Sequence, residues 1–577
     1  MTIPASNLPG HRSWARWLPL CLLLCFLLQI LLLHGIGGRD DSYITYWAAH
    51  ALSTYGEIVN YNGERIEQSS SLLLTLILAG LHGLTQWPIP ELGIFCSILA
   101  GLATAWLAAR LVQPLCPDAA PIVALLIALS PSFSYWSSSG METSLVALLM
   151  VMLLHSLPRY LARTGTGSLS QLAPALIACL LFLLSRPEAY FVLLATLSGL
   201  WVCVLLWPAL FQSTRKSLSL RILLLITSIS LAFALLCYWR WAYFGQIFPQ
   251  PVYAKMDPDN LLQRLPRGLQ YLHLGSNFSM KVLFALMLGS SALMIYRKPH
   301  AWLPLVACAL CLLLVDLAAI VSAGGDWMEA GRFLVPLIPL IVIPCAPLLA
   351  ETNWRKILLA TVLLLSLVDA WRLSRSESVG LSLAASRQVA DEARQMPLAG
   401  EQLDHYGFSW SDYMNYSHLR DALTIPMLDQ LVTQLKTQQA YPVTIASRQM
   451  GMIPYYLASK HYQQVVFLDL RGLSTRNLVE CPIANENAPK SFSGILFSLK
   501  GYLEHHALWE QQCALPPAQV FYDMKFFGHS PQETRDQLAA WGFAGVYFQQ
   551  QGDSNLFSQF IAVDNSLLPR LQAPFVP

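Results

Sequence analysis

The chain has 577 residues, 55% of them hydrophobic and only 12% charged, with a formal net charge of +2. Soluble domains carry about 25% charged residues, so a wholly soluble protein is excluded. With neither a basic nor an acidic excess, the composition offers nothing to nucleic acid and no solvating acidic tail.

Charge is unevenly placed along the chain. Residues 1–371 are a series of apolar runs and 372–577 read as an ordinary soluble domain, which sets the main boundary. A helix crossing a bilayer needs roughly 20 apolar residues. Arg12 and Arg16 precede the first run, Trp17–Leu33. It has the core of a signal peptide without the small-residue cleavage pattern, and is read as a retained first helix. The short run Leu72–Leu84 follows the polar stretch Gly63–Ser71. Counted as a span it would put later Arg and Lys clusters on the wrong side, so it is expected as a re-entrant or juxtamembrane helix on the outer face. The spans then fall at about 17–36, 91–109, 119–136, 142–158, 171–185, 188–208, 222–241, 280–296, 301–322, 333–350 and 357–371, about eleven in all. The inner loops hold Arg110; Arg159 and Arg163; Arg215, Lys216 and Arg221; Arg297 and Lys298; Arg355 and Lys356. Every inner loop is positive, as the positive-inside rule requires. The N-terminus is then cytoplasmic and an odd number of spans puts the C-terminal domain outside.

The outer-face segments collect most of the unusual polar residues of the membrane part. In chain order they offer Asp40-Asp41, Arg65 and Glu67, Glu142, Arg186 and Glu188, Tyr253 and Lys255, and Asp326, Trp327 and Arg332. Charges at a membrane boundary are costly to desolvate unless paired or functional. One reading is solvated loop ends and salt-bridge scaffolding; the other is a single polar cavity opening outward at the lipid interface. In such a cavity an acceptor hydroxyl attacking an anomeric carbon needs a carboxylate to take its proton. Asp40 and Asp41 follow the first span directly, and adjacent residues on an extended segment point to opposite sides. One can act as base while its neighbour orients the loop, a sugar hydroxyl or a divalent cation such as Mg or Mn. A lipid phosphate leaving group needs cationic partners, which Arg65, Arg186, Lys255 and Arg332 supply. Glu67, Glu142, Glu188 and Asp326 are candidates to hold those cations or bind sugar hydroxyls. Tyr253 and Trp327 lie within the charged clusters and suit sugar faces.

Paired acids directly after the first helix resemble the GT-C class of integral-membrane glycosyltransferases. Asp40-Asp41-Ser42-Tyr43-Ile44, Glu64-Arg65-Ile66-Glu67, Gly140-Met141-Glu142-Thr143, Arg186-Pro187-Glu188, Tyr253-Ala254-Lys255 and Gly324-Gly325-Asp326-Trp327 occur in this order. Together they are similar to the cell-wall arabinofuranosyltransferases that use decaprenyl-phosphate arabinose. Gln68-Ser69-Ser70-Ser71 and Ser474-Thr475 depart from that pattern. The resemblance implies a polyprenyl-phosphate sugar donor, arabinofuranose favoured, and inversion at the anomeric carbon. The acceptor lies on the outer face and is left open among an envelope glycan, a lipid and a secreted protein such as a pilin. The setting is a bacterial inner membrane with the tail in the periplasm. Asp40 or Asp41 is the expected base.

The tail, 372–577, is expected as an α/β domain. Ser382–Met396 reads as an amphipathic helix, and Thr444-Ile445-Ala446, Gln463–Leu470 and Gly545–Phe548 as strands. Cys481 and Cys513 are its two cysteines and can pair if the domain faces an oxidising space. Cys308 and Cys311 lie in an apolar run without polar ligands, which does not suit a metal or redox site. Three other readings compete: a ligase or polymerase acting on lipid-linked glycans, a transporter of a lipid-linked sugar, and a non-catalytic envelope scaffold, which leaves the outer-face acids without a task. The transporter predicts ionisable groups deep in the spans. Asp316 is the clearest one, and in sequence it stands alone.

Overall fold

The computed structural model describes residues 20–24, 27, 29, 39–161, 169–211, 213–255, 261–297, 302–326, 328–350, 352–374, 416–438, 442–481, 490–491, 494–495, 499–504, 506–523, 530–550, 558–572 and 575. Among them, seven helices are long and apolar enough to cross a membrane: Ile89–Val112, Thr143–Leu161, Ala189–Leu206, Arg215–Phe244, Phe278–Arg297, Leu303–Ala323 and Ala330–Ala350. An eighth crossing arises if the bent pair Ala120–Ala128 and Pro131–Ser137 is one span. Of the other expected spans, 171–185 is the shorter apolar helix Leu172–Ser185 and 357–371 lies within Thr352–Ser374. The first run lies largely outside the described residues. The architecture is a polytopic helical membrane protein with a C-terminal sheet.

The bend of 67° in the expected span 119–136 has a local cause. Ser130 precedes Pro131 and is extended, with φ −70° and ψ 119°. The proline ring excludes the preceding residue from the helical region and has no N–H to continue the ladder.

The chain divides into two compact units. One comprises residues 1–36, 94–233 and 260–380 and contains most of the spans. In it, Ser144 donates to Ser97 O at 2.7 Å, tying two spans together. The buried Asp369 accepts from the amides of Phe278 and Ser279 at 3.1 and 2.8 Å, capping the helix Phe278–Arg297. The expected loop 242–279 instead holds a helix at Leu261–Gly275, whose Gly268 lies against the backbone of Val321.

The second unit gathers 37–93, 234–259 and 381–577. Helix Ser42–Tyr55 buries Tyr43, Tyr46 and Trp47 almost completely. The helix Leu72–Thr85 starts where the Ser71 side chain accepts from Leu74 N, so the polar stretch before it supplies its cap. The sheet has five strands: β1 (Val443–Ser447), β2 (Val465–Asp469), β3 (Val520–Asp523), β4 (Phe543–Gln550) and β5 (Ser558–Asp564). Their order is β2-β1-β3-β5-β4. β1 runs parallel to β2 and β3, and β5 antiparallel to β3 and β4. The crossover from β1 to β2 is the helix Met452–His461. Leu468, Tyr502, Phe521, Phe543 and Phe560 build the core on one face, where Cys481 and Cys513 are joined as a disulfide. The expected strands at 444–446, 463–470 and 545–548 are β1, β2 and part of β4; the expected helix 382–396 lies outside the described residues.

Candidate active site

In the unit that contains most of the spans, the turn between Leu169–Ser185 and Ala189–Leu206 carries Arg186 and Glu188. Arg186 donates through Nη1 to Glu142 Oε1 at 2.9 Å and through Nε to Glu188. The Glu142 side chain is 5% exposed and that of Glu188 43%. Arg332 donates through Nε to Asp326 Oδ2 at 2.7 Å, and both side chains are buried. The two guanidinium groups lie over the same ring, Phe333, at 5.0 and 4.8 Å. Tyr271 OH accepts from Phe333 N at 3.0 Å. Gly331 permits this turn: its φ is +60°, and a Cβ there would lie 2.3 Å from Gly275 O.

Arg186, Glu188, Arg332 and Phe333 line a cavity of about 210 Å³ together with Thr143 and Asp316. Burial works against the charge of Arg186. The carboxylates of Glu188 and Glu142, with Asp316 adding to them, outweigh it and raise its pKa. Asp316, alone in sequence, is therefore part of the same charge cluster. The cavity offers two oriented guanidinium groups already matched by carboxylates, and one of those carboxylates is half exposed.

In the second unit the two adjacent acids are used differently. Asp40 Oδ1 accepts from Met452 N at 2.8 Å, so it caps the helix Met452–His461 from outside that helix. Gly451 leaves room for this approach, since a Cβ on it would lie 2.1 Å from both Asp40 O and Oδ1. Asp41 is half-buried at the start of Ser42–Tyr55 and makes no side-chain capping bond. Tyr61 OH donates to Met450 O at 2.8 Å. Burial first, then Asp40, raises its pKa, so it remains a donor.

The remaining expected residues of this unit are dispersed. Glu67 is bound by Arg240 through two hydrogen bonds of 2.8 and 2.9 Å, with both side chains buried. Burial raises the pKa of Glu67 and Arg240 opposes it. Arg65 is exposed, pairs with Glu57 at 3.0 Å and lies over Tyr243. Tyr253 OH accepts from Phe248 N at 3.3 Å, and Lys255 ends the short helix Gln250–Lys255. Trp327 lies outside the described residues. Arg240, Tyr271 and Phe333 escaped the sequence reading. A lone arginine in the apolar run 222–241 was the one available signal. Among the described residues, no group of three or more His, Cys, Asp or Glu side chains is placed to hold a metal ion.

No protein-family model and no curated protein matches the chain. Solved structures do. ArnT from Cupriavidus metallidurans in its apo state matches with a TM-score of 0.51 at 14% identity, over 96% of this chain and 98% of ArnT. ArnT bound to undecaprenyl phosphate matches with 0.53 at 14% identity, over 95% and 98%. The mycobacterial arabinofuranosyltransferase AftD matches with 0.48 at 13% identity, and the likeness covers 41% of AftD. At these identities the likeness is one of fold: the chain has the GT-C fold of integral-membrane glycosyltransferases.

Proposed function

We propose that this protein transfers a single sugar, arabinofuranose favoured, from a polyprenyl-phosphate carrier to an acceptor hydroxyl on the periplasmic side of a bacterial inner membrane. The observation that carries this reading is the division of labour between the two acids. Asp40 is committed to the Met452 amide, and the helix end fixes the segment. Asp41 keeps its carboxylate clear of any cap, and we assign it as the base. Asp41 takes the proton of the acceptor hydroxyl, whose oxygen attacks the anomeric carbon. The bond from that carbon to the phosphate oxygen breaks, and polyprenyl phosphate leaves with the electron pair, which inverts the centre. ArnT, whose fold this chain shares, has been solved with undecaprenyl phosphate, and this supports the choice of carrier.

The arginine cavity fits recognition of the lipid phosphate. Glu142 is buried and holds Arg186 in place, whereas Glu188 is exposed enough to yield its position to an incoming phosphate. A guanidinium pairs with phosphate in the same bidentate manner as with carboxylate. Replacing Glu188 by Gln should therefore lower the donor KM a few-fold. A second reading, transport of a lipid-linked sugar, is favoured by Asp316, an acid within a span that lines this cavity.

The test is transfer by purified protein in detergent. Synthetic polyprenyl-phosphate arabinofuranose is supplied with a panel of glycan and pilin acceptors, with and without EDTA. Transfer that is lost in Asp41→Asn and retained in Asp40→Asn supports the reading. EDTA sensitivity would report a divalent cation. No transfer with any polyprenyl-phosphate sugar, with normal envelope glycosylation in cells carrying Asp41→Asn, would sink it and favour the transporter. Lipid diphosphate glycans as the sole donors would identify a ligase or polymerase.

A further inference from the structure

In the unit that contains most of the spans, the first turn of Phe278–Arg297 meets the last turn of Thr352–Ser374. Two cations share one ring there. Lys281 Nζ lies over Phe278 at 5.9 Å, and Arg372 Cζ over the same ring at 4.9 Å. Both residues are exposed, and neither side chain has an ion pair or hydrogen bond among the described residues. The acid at this helix end, Asp369, is buried and taken by the amides of Phe278 and Ser279 and by the Ser279 hydroxyl. Phe278 is 47% exposed and Trp371 57%, as suits rings at the boundary between hydrocarbon and headgroups. Lys281 also lines a second cavity, of about 220 Å³. Met280, Phe284, Leu313, Leu317 and Ile341 are in its lining, and Lys281 is the one charged residue there among the described residues. Asp316 and Phe333 line the arginine cavity, whereas their chain neighbours Leu317 and Leu334 line this one, so the two are distinct.

We propose that Lys281, Arg372 and this cavity form a binding site for one anionic phospholipid of the surrounding bilayer. Its phosphate lies between the two cations and one acyl chain enters the cavity. Basic pockets between membrane helices recognise anionic headgroups by charge. Arg372 offers a planar fork for two phosphate oxygens, and Lys281 a point charge on a flexible stem. The cavity contributes differently. A lipid tail is as apolar as leucine, so its entry gains van der Waals contact and no hydrophobic transfer. Selectivity therefore resides in the headgroup and chain affinity in the cavity. A sugar carrier with its phosphate between Arg186 and Arg332 would leave Lys281 and Arg372 without a counter-charge, which calls for a second, separate lipid. The site does not depend on the transferase reading, because a transporter of this fold would hold the same lipid.

Native mass spectrometry of the full-length protein, released from mild detergent, counts the lipids it retains. The probes are dioleoyl phosphatidylglycerol, dioleoyl phosphatidylethanolamine with the same chains, and undecaprenyl phosphate. Lys281→Gln combined with Arg372→Gln removes both charges at exposed positions and should leave the unfolding temperature unchanged. Met280→Trp fills the cavity. Wild type is expected to retain phosphatidylglycerol in preference to phosphatidylethanolamine. The double charge variant should bind phosphatidylglycerol about thirtyfold more weakly, with phosphatidylethanolamine and undecaprenyl phosphate unaffected. A folded Met280→Trp variant should bind both phospholipids more weakly, because it acts on the chain. Equal retention of the two phospholipids by wild type overturns the site, as does an unchanged preference in the folded double variant. Loss of undecaprenyl phosphate in the double variant, with phosphatidylglycerol retained, also overturns it and assigns the two cations to the carrier.

Discussion

Replacing Glu67 by Gln should unfold the protein more than it should slow transfer. The Glu67 and Arg240 side chains are 3% and 5% exposed and joined by two hydrogen bonds. Gln keeps the volume and one acceptor but leaves the guanidinium charge buried without its counter-charge. Breaking a buried pair from one side costs about 3–5 kcal/mol. Removing both members together, as Glu67→Leu with Arg240→Met, removes two desolvation penalties at once. It should return stability to within about 1 kcal/mol of wild type. Denaturant unfolding of the full-length protein in detergent, run as a double-mutant cycle, measures both values. A folded Glu67→Gln variant that stays within about 1 kcal/mol of wild type and loses transfer a hundredfold would refute the argument. Glu67 would then be a substrate ligand, as its place in the outer loop led us to expect.

Gly451→Ala places a methyl carbon onto Asp40, and the obstructing atoms include backbone. We expect the loop to move off the helix end, with a loss of about 1–3 kcal/mol and at least tenfold slower transfer. A fully active, equally stable variant would show that the contact between Asp40 and Met452 does not position the acids. His50 is held at a pKa of about 4 by burial and by His82, below its ordinary 6.5. The folded chain thus refuses a proton that the unfolded chain accepts, so stability is complete above pH 6.5 and falls as the pH drops toward 4. Between pH 7.5 and 5 the loss from this residue is about 2 kcal/mol. His50→Gln should abolish that part of the dependence, and parallel pH curves for the two proteins would contradict the assignment.

What the sequence determined by itself is what depends on local composition. Apolar runs of spanning length require no knowledge of partners, because each run meets lipid on its own account. The bend at Ser130-Pro131 is one the apolar pattern does not show: by composition 119–136 is a single span. The resemblance of the acid-bearing loops to GT-C enzymes was legible because those motifs keep their order along the chain. The tertiary structure decided which charge meets which. Glu67 and Arg240 are 173 residues apart, and no periodicity links them. Asp316 looked isolated because its neighbours, Arg186 and Glu188, come from another pair of helices. Asp40 and Asp41 are equivalent as a dipeptide. Only the return of the chain at Met452, 412 positions later, separates the capping acid from the other. Pairings of this kind depend on distances across the fold, and a linear pattern of residue types does not encode them.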